Sequence, residues 1–234
     1  MQLFYCPIIS GSITVLPDDE AHHIFHVLRS KNGDLIQLTN GSGSLFTARL
    51  DEVSKKQVTV EIIDEIKTNP RKHSLHIGIA PTKNIDRFEW FLEKATEIGI
   101  EKITPILCQR SERKEIKNER LVKVIIAAAK QSKKSFFPDL EPHISFEKFI
   151  AVNYLGNKLI AQCEDGEKVS LNKSLITPKD TVILIGPEGD FTPQEINKAI
   201  NAGFQSLTLG ENRLRTETAA VHACSGFAFL NSEL

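Results

Sequence analysis

The arrangement of apolar and polar residues changes character once along the chain. Before residue 67, short runs in which apolar and polar residues alternate predict β-strands at 13–16, 35–39, 45–50 and 58–63. The loop Asn40-Gly41-Ser42-Gly43 between two of these runs is typical of a hairpin. Apolar residues spaced i, i+3, i+4, i+7 predict one helix over residues 18–29. The first 68 residues are therefore expected to form a small, barrel-like β domain.

After a polar, proline-containing stretch at 67–73, which we interpret as a linker, predicted strands alternate with predicted helices. The strands are expected at 74–80, 102–107, 158–163, 181–185 and 206–209, and the helices at 86–98, 119–134, 192–202 and 216–230. The run 181–185 is almost continuously apolar, as in a strand buried on both faces. This alternation predicts a mostly parallel α/β sheet over residues 74–234.

A glycine turn follows that buried strand. The strand is expected to end at Gly186, and Pro187-Glu188-Gly189 forms a tight turn. Thr192 is then suited to cap a helix, with Pro193 at its first position and Glu195 completing a capping box. Small residues at the carboxyl end of a central strand let a ligand approach the backbone, which predicts a binding site. A plain tight turn is the alternative.

A second glycine turn, Leu209-Gly210, follows one strand–helix unit later and leads into the last helix. The segment that follows this turn contains Arg213, Arg215, Glu217 and two threonines. If the two strands are neighbours, both turns line one crevice at the same edge of the sheet. The alternative is structural: Thr216 caps the helix, and Arg215 pairs with a carboxylate.

Length and composition exclude several classes of protein. The chain has 234 residues, 41% hydrophobic and 25% charged, which is enough to bury a core and unlike disordered, collagenous or coiled-coil sequences. No apolar run approaches the roughly 18 residues that span a bilayer, and the first residues do not resemble a signal peptide. The four cysteines lie far apart without a CxxC pair, which favours reduced thiols in a cytoplasm.

Motifs of several enzyme classes are absent from the sequence. It contains neither a phosphate-binding GxxxxGK[ST] loop nor a GxSxG nucleophile elbow. His22 and His26 are spaced i, i+4, but no carboxylate or cysteine clusters with them or with His23. Surface or RNA-facing histidines are therefore a better interpretation than a metal site.

Basic charge is concentrated in the middle of a nearly neutral chain. Residues 71–135 contain 15 Lys and Arg against 8 Asp and Glu, whereas the net charge of the whole chain is -1. A one-sided basic stretch indicates a polyanionic partner such as nucleic acid. Because Glu112, Glu115 and Glu119 are interleaved with the cations, a solvated helix face is the alternative.

Taken together, these motifs resemble the ribosomal RNA small subunit methyltransferase E family, within the SPOUT class of S-adenosylmethionine-dependent enzymes. The resemblance spans nearly the whole chain, through the motifs at 184–189, 209–218, 23–29, 94–105, 110–113 and 127–132. Two positions depart from the family pattern. Asp190 stands where a small residue is commoner, and Lys130 stands where Glu often precedes Gln131.

The resemblance implies a PUA-like, RNA-binding β-barrel at 1–68 and an α/β-knot methyltransferase domain at 74–234, the knot formed near residues 180–220. It implies a homodimer that needs no metal or membrane and methylates N3 of a uridine in 16S ribosomal RNA, free or in the small ribosomal subunit. Three alternatives stay open: methylation of another RNA position such as a ribose 2′-hydroxyl, a non-catalytic RNA-binding protein, and a small-molecule α/β enzyme.

The resemblance also implies the roles of particular residues. The cofactor crevice would be formed by Leu184, Ile185, Gly186, Pro187, Glu188, Gly189, Leu209, Gly210, Leu214, Arg215 and Thr216. Arg215 is the candidate for stabilising the uracil anion as the weakly acidic N3 loses its proton, and Glu217 is a candidate base or a partner that orients Arg215. Arg29, Arg110 and Arg113 would bind phosphates of the RNA.

Overall fold

The computed structural model describes residues 1–175 and 179–231. The chain divides into two compact units, of which the first comprises Met1–Pro70 and Ile126–Phe137. The second comprises Arg71–Ile125 and the chain from Pro138 onward. No helix among the described residues is long and apolar enough to cross a membrane.

The first unit contains one five-stranded sheet. Its strands are β1 (Leu3–Tyr5), β2 (Ile13–Val15), β3 (Leu35–Thr39), β4 (Ser44–Val53) and β5 (Val58–Lys67), in the order β1-β3-β4-β5-β2. Only the β1–β3 pairing is parallel. Phe4, Ile24, Leu38 and Val60 lie in its fully buried core. The four predicted strands are present, whereas β1 is too short to show a period in the sequence.

The predicted helix at 18–29 is present but is not α-helical throughout. Helix α1 (Asp18–His22) continues as a π-helix over His23–Leu28 and ends at Arg29, whose φ of 54° is left-handed. The N–H groups of Arg29 and Ser30 both donate to the carbonyl of Ile24, which closes the widened end. The apolar spacing thus predicts the extent of the helix but not its pitch.

An ion pair connects residues 126–137 to the helix of the first unit. Nζ of Lys130 lies 2.6 Å from Oε1 of Glu20, and the N–H of Tyr5 donates to the same oxygen at 3.2 Å. Glu20 is 6% exposed. Lys130 therefore neutralises a buried carboxylate and does not belong to a polyanion-binding surface.

The second unit is an α/β structure, as predicted. Its strands are β6 (Leu75–Ile79), β7 (Lys102–Leu107), β8 (Asp139–Leu140), β9 (Ile144–Ser145), β10 (Asn157–Ala161), β11 (Val169–Ser170), β12 (Thr181–Ile185) and β13 (Gln205–Thr208). The helices are α2 (Ile85–Ile98), α3 (Asn118–Gln131), α4 (Phe146–Ile150), α5 (Leu171–Ser174), α6 (Pro193–Asn201) and α7 (Thr216–Leu230), with α3 reaching into the first unit.

All strand pairs of this sheet are parallel, in the order β11-β13-β10-β12-β6-β7-β8, and β9 also pairs with β7. Strand β12 is central and buried along its whole length, which confirms the interpretation of its apolar run. The class, α/β with a smaller N-terminal β unit, is therefore confirmed. The knot near residues 180–220 stays a prediction.

Local end signals fix the helices that flank the later strands. Thr192 and Glu195 form both reciprocal bonds of the capping box, with Pro193 at the first helical position. Gly99 ends α2 with a φ of 106°, a conformation that favours glycine. The sequence analysis missed β8, β9, β11, α4 and α5, because elements of two to five residues are too short to show a repeated hydrophobic pattern.

Candidate active site

A cavity of about 790 Å³ lies at the carboxyl ends of β10, β12 and β13. It is lined by three loops, 161–165, 185–190 and 207–216, and by Arg110, Lys168 and Ala219. Both glycine turns therefore line one crevice. The premise that their strands are neighbours is wrong, because β10 lies between β12 and β13. Its loop supplies a third wall that the sequence analysis missed.

The first wall is the turn after β12. A Cβ placed on Gly186 would lie 3.1 Å from two ring carbons of Phe191 and 3.2 Å from its backbone nitrogen, tighter than ordinary contacts. A Cβ on Gly189 would lie 3.4 Å from Cδ of Arg110, which is ordinary van der Waals contact. Gly186 is therefore required by close packing, whereas Gly189 is not.

The second wall is the turn after β13. Gly210 has a φ of +120°, which side-chain-bearing residues rarely adopt, and open space surrounds it. The hydroxyl of Thr216 donates to the carbonyl of Gly186 at 3.0 Å and so joins this wall to the first. The alternative in which Thr216 caps α7 is wrong, because the N-cap is Arg215 and its side chain makes no capping bond.

Arg215 lines the cavity at the start of α7 and is exposed. Within residues 1–175 and 179–231, no carboxylate forms an ion pair with it and its guanidinium donates no hydrogen bond. The predicted partner, Glu217, is 6% exposed and does not line the cavity. Its Oε1 lies 3.9 Å from Nε of Arg87. Among the described residues Glu217 is therefore not paired with Arg215 and does not line the cavity, and its role as a base stays a prediction.

Ten of the eleven predicted cofactor residues line the cavity. They are Ile185, Gly186, Pro187, Glu188, Gly189, Leu209, Gly210, Leu214, Arg215 and Thr216. Leu184 does not, because it is fully buried in the core beneath the cavity. In a strand, successive side chains point to opposite faces, so the last apolar residues of β12 cannot all face one ligand.

The third wall consists of residues after β10, among them Gln162, Cys163 and Asp165. Sequence reasoning missed this wall because the β10 loop has no glycine turn before a helix. Cys163 is exposed, but partial burial of its thiol and the neighbouring carboxylate of Asp190 raise the pKa of that thiol. The buried thiols of Cys108 and Cys224 likewise have raised pKa values, because burial disfavours the thiolate. These three cysteines are therefore poorly suited to act as nucleophiles.

Two arginines predicted to bind RNA are bonded to loop carbonyls. Nη1 of Arg110 donates to the carbonyl of Gly189 at 2.7 Å. Nε and Nη2 of Arg113 donate to the carbonyls of Thr82 and Lys83, the loop after β6. Arg110 thus lines the cavity and also braces the β12 turn. Arg29 belongs to the first unit and is exposed.

Charge around the cavity is mixed. The lining cations are Arg110, Lys168, Arg213 and Arg215, and the lining carboxylates are Glu164, Asp165, Glu188, Asp190 and Glu211. Such a lining suits a ligand that carries both signs of charge. Among the described residues, no cluster of three or more His, Cys, Asp or Glu side chains could hold a metal ion.

Comparison with known proteins gives consistent matches over the whole chain. Residues 69–228 match the RNA methyltransferase domain family, and residues 16–63 match the RNA methyltransferase PUA domain family. The ribosomal RNA small subunit methyltransferase E of Rickettsia conorii is 30% identical over 228 residues, covering 95% of this chain and 92% of that protein.

Solved structures of similar proteins share the fold. A probable rRNA methyltransferase from Porphyromonas gingivalis is 41% identical, with a TM-score of 0.92, covering 99% of this chain and 98% of that one. The ribosomal RNA small subunit methyltransferase E of Neisseria gonorrhoeae, solved with S-adenosyl methionine bound, is 29% identical, with a TM-score of 0.86 and 98% coverage of both chains.

Proposed function

Because the chain belongs to the ribosomal RNA small subunit methyltransferase E family, we propose that it transfers the methyl group of S-adenosylmethionine to N3 of a uridine in 16S ribosomal RNA. The observation that carries this proposal is the cavity at the ends of β10, β12 and β13, built from two glycine turns that the hydroxyl of Thr216 joins. The first unit, a PUA-like sheet, and the parallel second unit give the protein an RNA-binding and a methyl-transfer part.

The residues of the cavity fit S-adenosylmethionine. About 790 Å³ is within the usual range for sites that enclose a ligand of this size. The backbone at Gly186 lies close under the cavity, and its packing against Phe191 leaves no room for a side chain. The mixed charge of the walls suits a molecule that carries a carboxylate, an ammonium group and a sulfonium. When bound, S-adenosylmethionine supplies an electrophilic methyl group.

The chain's own contribution is to align the acceptor and to stabilise the charge that develops on it. Uracil N3–H is a weak acid, so an anion spreads to the carbonyl oxygens as the proton leaves. Arg215 lies at the cavity with no ion-pair partner among the described residues, and its planar guanidinium can donate to such an oxygen. We assign it this role. Because N3 takes part in base pairing, the target uridine must be unpaired or extruded.

Contacts with the RNA are assigned to exposed cations. Arg29, at the strained end of the π-helix, would bind phosphates on the first unit. Arg113 retains one guanidinium nitrogen outside its two carbonyl bonds, and Arg110 likewise has donors beyond those that brace the β12 turn. These two arginines would therefore contribute to phosphate binding as well as to loop structure.

A homodimer is part of the proposal. Helix α7 is apolar on nearly every side, which is typical of a buried helix. Yet Val221 and Ala228 keep part of their surface accessible, and Leu230 is 38% exposed. A second copy that packs against α7 would cover this face. We also propose a cytoplasmic location, since the ribosomal RNA substrate is there.

Methyl transfer to RNA tests this function. Purified protein is incubated with S-adenosylmethionine carrying a radioactive methyl group and with small ribosomal subunits from a strain that lacks the gene. We expect the label in 16S ribosomal RNA. Label that stays in the cofactor, with both free RNA and subunits, would contradict the proposal.

Variants of Arg215 test its role within that reaction. Arg215→Lys and Arg215→Ala should each lower the single-turnover rate about 100- to 1,000-fold, while cofactor affinity changes much less. Arg213→Ala removes the neighbouring cavity arginine. If the position of the cation matters and not its charge alone, this change should lower the single-turnover rate less than about tenfold. A wild-type rate in the Arg215 variants would remove this residue from the chemical step.

A further inference from the structure

Asp190 is one of three described residues other than glycine with a left-handed backbone, with a φ of 62°. It stands directly after the β12 turn, and its own N–H donates to the carbonyl of Pro187 at 2.9 Å. A left-handed conformation disfavours most side chains, whereas aspartate and asparagine tolerate it better. Glycine adopts this conformation more easily than aspartate. The side chain of Asp190 must therefore contribute something that glycine would not.

The carboxylate of Asp190 accepts one hydrogen bond from the β10 loop and one from the segment that follows the β12 turn. Oδ2 accepts the backbone N–H of Cys163 at 2.7 Å, and Oδ1 accepts the N–H of Phe191 at 2.7 Å. Both distances are at the short end for hydrogen bonds to nitrogen, as expected when the acceptor is charged. We call this pair of bonds the Asp190 bridge.

The Asp190 bridge joins two loops that leave the sheet side by side. Strands β10 and β12 pair in parallel, and their last pair is Ala161 with Ile185. Beyond it the ladder stops, and the loops 161–165 and 185–190 form two adjacent walls of the cavity. The bond from the N–H of Cys163 to Asp190 connects these two walls, and the thiol of Cys163 also lies within hydrogen-bonding reach of the same carboxylate.

We propose that Asp190 is a positioning residue for the methyl donor: its carboxylate holds the β10 loop and the β12 turn at the separation that S-adenosylmethionine requires. This inference rests on the proposed function and adds to it a residue of the cavity lining that the sequence analysis did not assign to the cofactor. Cys163 is exposed and Asp190 is half-buried, so water can replace the bond that the N–H of Cys163 loses when the bridge is removed. The fold therefore does not depend on the bridge, whereas the shape of the cavity does.

Two substitutions remove the bridge without straining the backbone. Asp190→Asn keeps the size and tolerates a left-handed φ, but its amide can accept only through one oxygen, so one of the two N–H groups loses its partner. Asp190→Gly keeps the φ and removes both bonds. Glu167→Gln is the matched control, because it removes a carboxylate from the same exposed loop region outside the cavity lining.

The experiment measures S-adenosylmethionine affinity by calorimetry, steady-state methylation, thermal unfolding and backbone hydrogen exchange at Cys163. Both Asp190 variants should weaken cofactor affinity about tenfold and raise KM for the cofactor equally, with kcat at saturation within twofold of wild type. Their unfolding temperatures should stay within a few degrees of wild type, and the N–H of Cys163 should exchange faster even without cofactor. Glu167→Gln should match wild type in all four measurements.

Three results would overturn the inference. They are cofactor affinity within twofold of wild type in both variants, unchanged exchange at Cys163, or a loss of unfolding temperature large enough to account for the weaker binding. Failure of the proposed function is distinguishable, because it would show as absent cofactor binding in the wild-type protein, whereas hydrogen exchange at Cys163 still reports on the bridge.

Discussion

The substitution Gly186→Ala examines the cofactor crevice at its tightest point. The new Cβ would lie 3.1 Å from the ring of Phe191 and 3.2 Å from its backbone nitrogen. Ordinary contacts begin near 3.4 Å, so something must move by a few tenths of an ångström. Gly186 has no left-handed φ, so alanine is compatible with its backbone and the effect comes from space alone.

The neighbours of this Cβ are poorly able to yield. The ring of Phe191 is fully buried and packs against Phe146 at a centroid distance of 5.5 Å. Its N–H is held by Asp190, and the carbonyl of Gly186 accepts the hydroxyl of Thr216. The strain therefore passes to the β12 turn and to the second wall of the cavity. Overpacking of a buried site of this kind costs about 1–3 kcal/mol.

Thermal unfolding and calorimetry measure the result. For a chain of this size, about 2 kcal/mol lowers the unfolding temperature by about 4–8 °C. Displacement of the β12 turn should weaken S-adenosylmethionine binding by about tenfold or more. Gly189→Ala is the matched control for stability, because its Cβ meets Arg110 at an ordinary 3.4 Å. It should unfold within about 2 °C of wild type. Equal destabilisation by the two substitutions, or none by Gly186→Ala, would refute this account of the turn.

Four further predictions follow from individual contacts. Arg110→Ala should weaken cofactor affinity about tenfold in addition to RNA affinity, because the guanidinium braces the β12 turn; unchanged cofactor affinity in calorimetry would leave Arg110 with RNA binding alone. Because partial burial and the carboxylate of Asp190 raise the pKa of the exposed Cys163 thiol, its alkylation should be slow at pH 7, and saturating S-adenosylmethionine should slow it further. Peptide mass spectrometry that shows no protection by the cofactor would place the cofactor elsewhere. Lys130→Met should destabilise the first unit by about 3 kcal/mol in denaturant titrations, since it leaves the carboxylate of Glu20 buried without its cation, and the further change Glu20→Gln should restore part of the loss; a neutral Lys130→Met would contradict this. Burial, with the charge of Lys102, lowers the pKa of His76 to about 4, so the unfolded state binds more protons than the folded state between pH 6.5 and 4. The free energy of unfolding should therefore fall by up to about 3 kcal/mol as the pH is lowered across that interval. His76→Gln should flatten this part of the stability profile, and identical profiles for the two proteins would refute the prediction.

Signals confined to a few adjacent residues predicted the local structure well. The capping box of Thr192 and Glu195, the left-handed Gly99 and the apolar run of β12 each act within a few residues of the chain. Hydrophobic alternation likewise predicted two units of different class, because it reflects which face of each element is buried.

The parts that were missed or wrong depend on contacts between distant residues. Nothing local indicates that β10 inserts between β12 and β13, and so the third wall of the cavity was not predicted. The sequence does not indicate in which direction a side chain at the start of α7 points. Glu217 was therefore expected to pair with Arg215, whereas its carboxylate lies beside Arg87. Charge counting also treated Lys130 as free, whereas a carboxylate 110 residues away pairs with it.

The central claim, methylation of uridine N3 in 16S ribosomal RNA, is tested most directly by the chemical identity of the product. Small subunits from a strain that lacks the gene are incubated with the purified protein and S-adenosylmethionine, and the 16S RNA is digested to nucleosides for mass spectrometry against synthetic standards. We expect one new N3-methyluridine per RNA molecule, and about 100- to 1,000-fold slower formation of this nucleoside when the protein carries Arg215→Ala. A methyl group on a ribose 2′-hydroxyl or on another base atom, or no new methylated nucleoside, would contradict it.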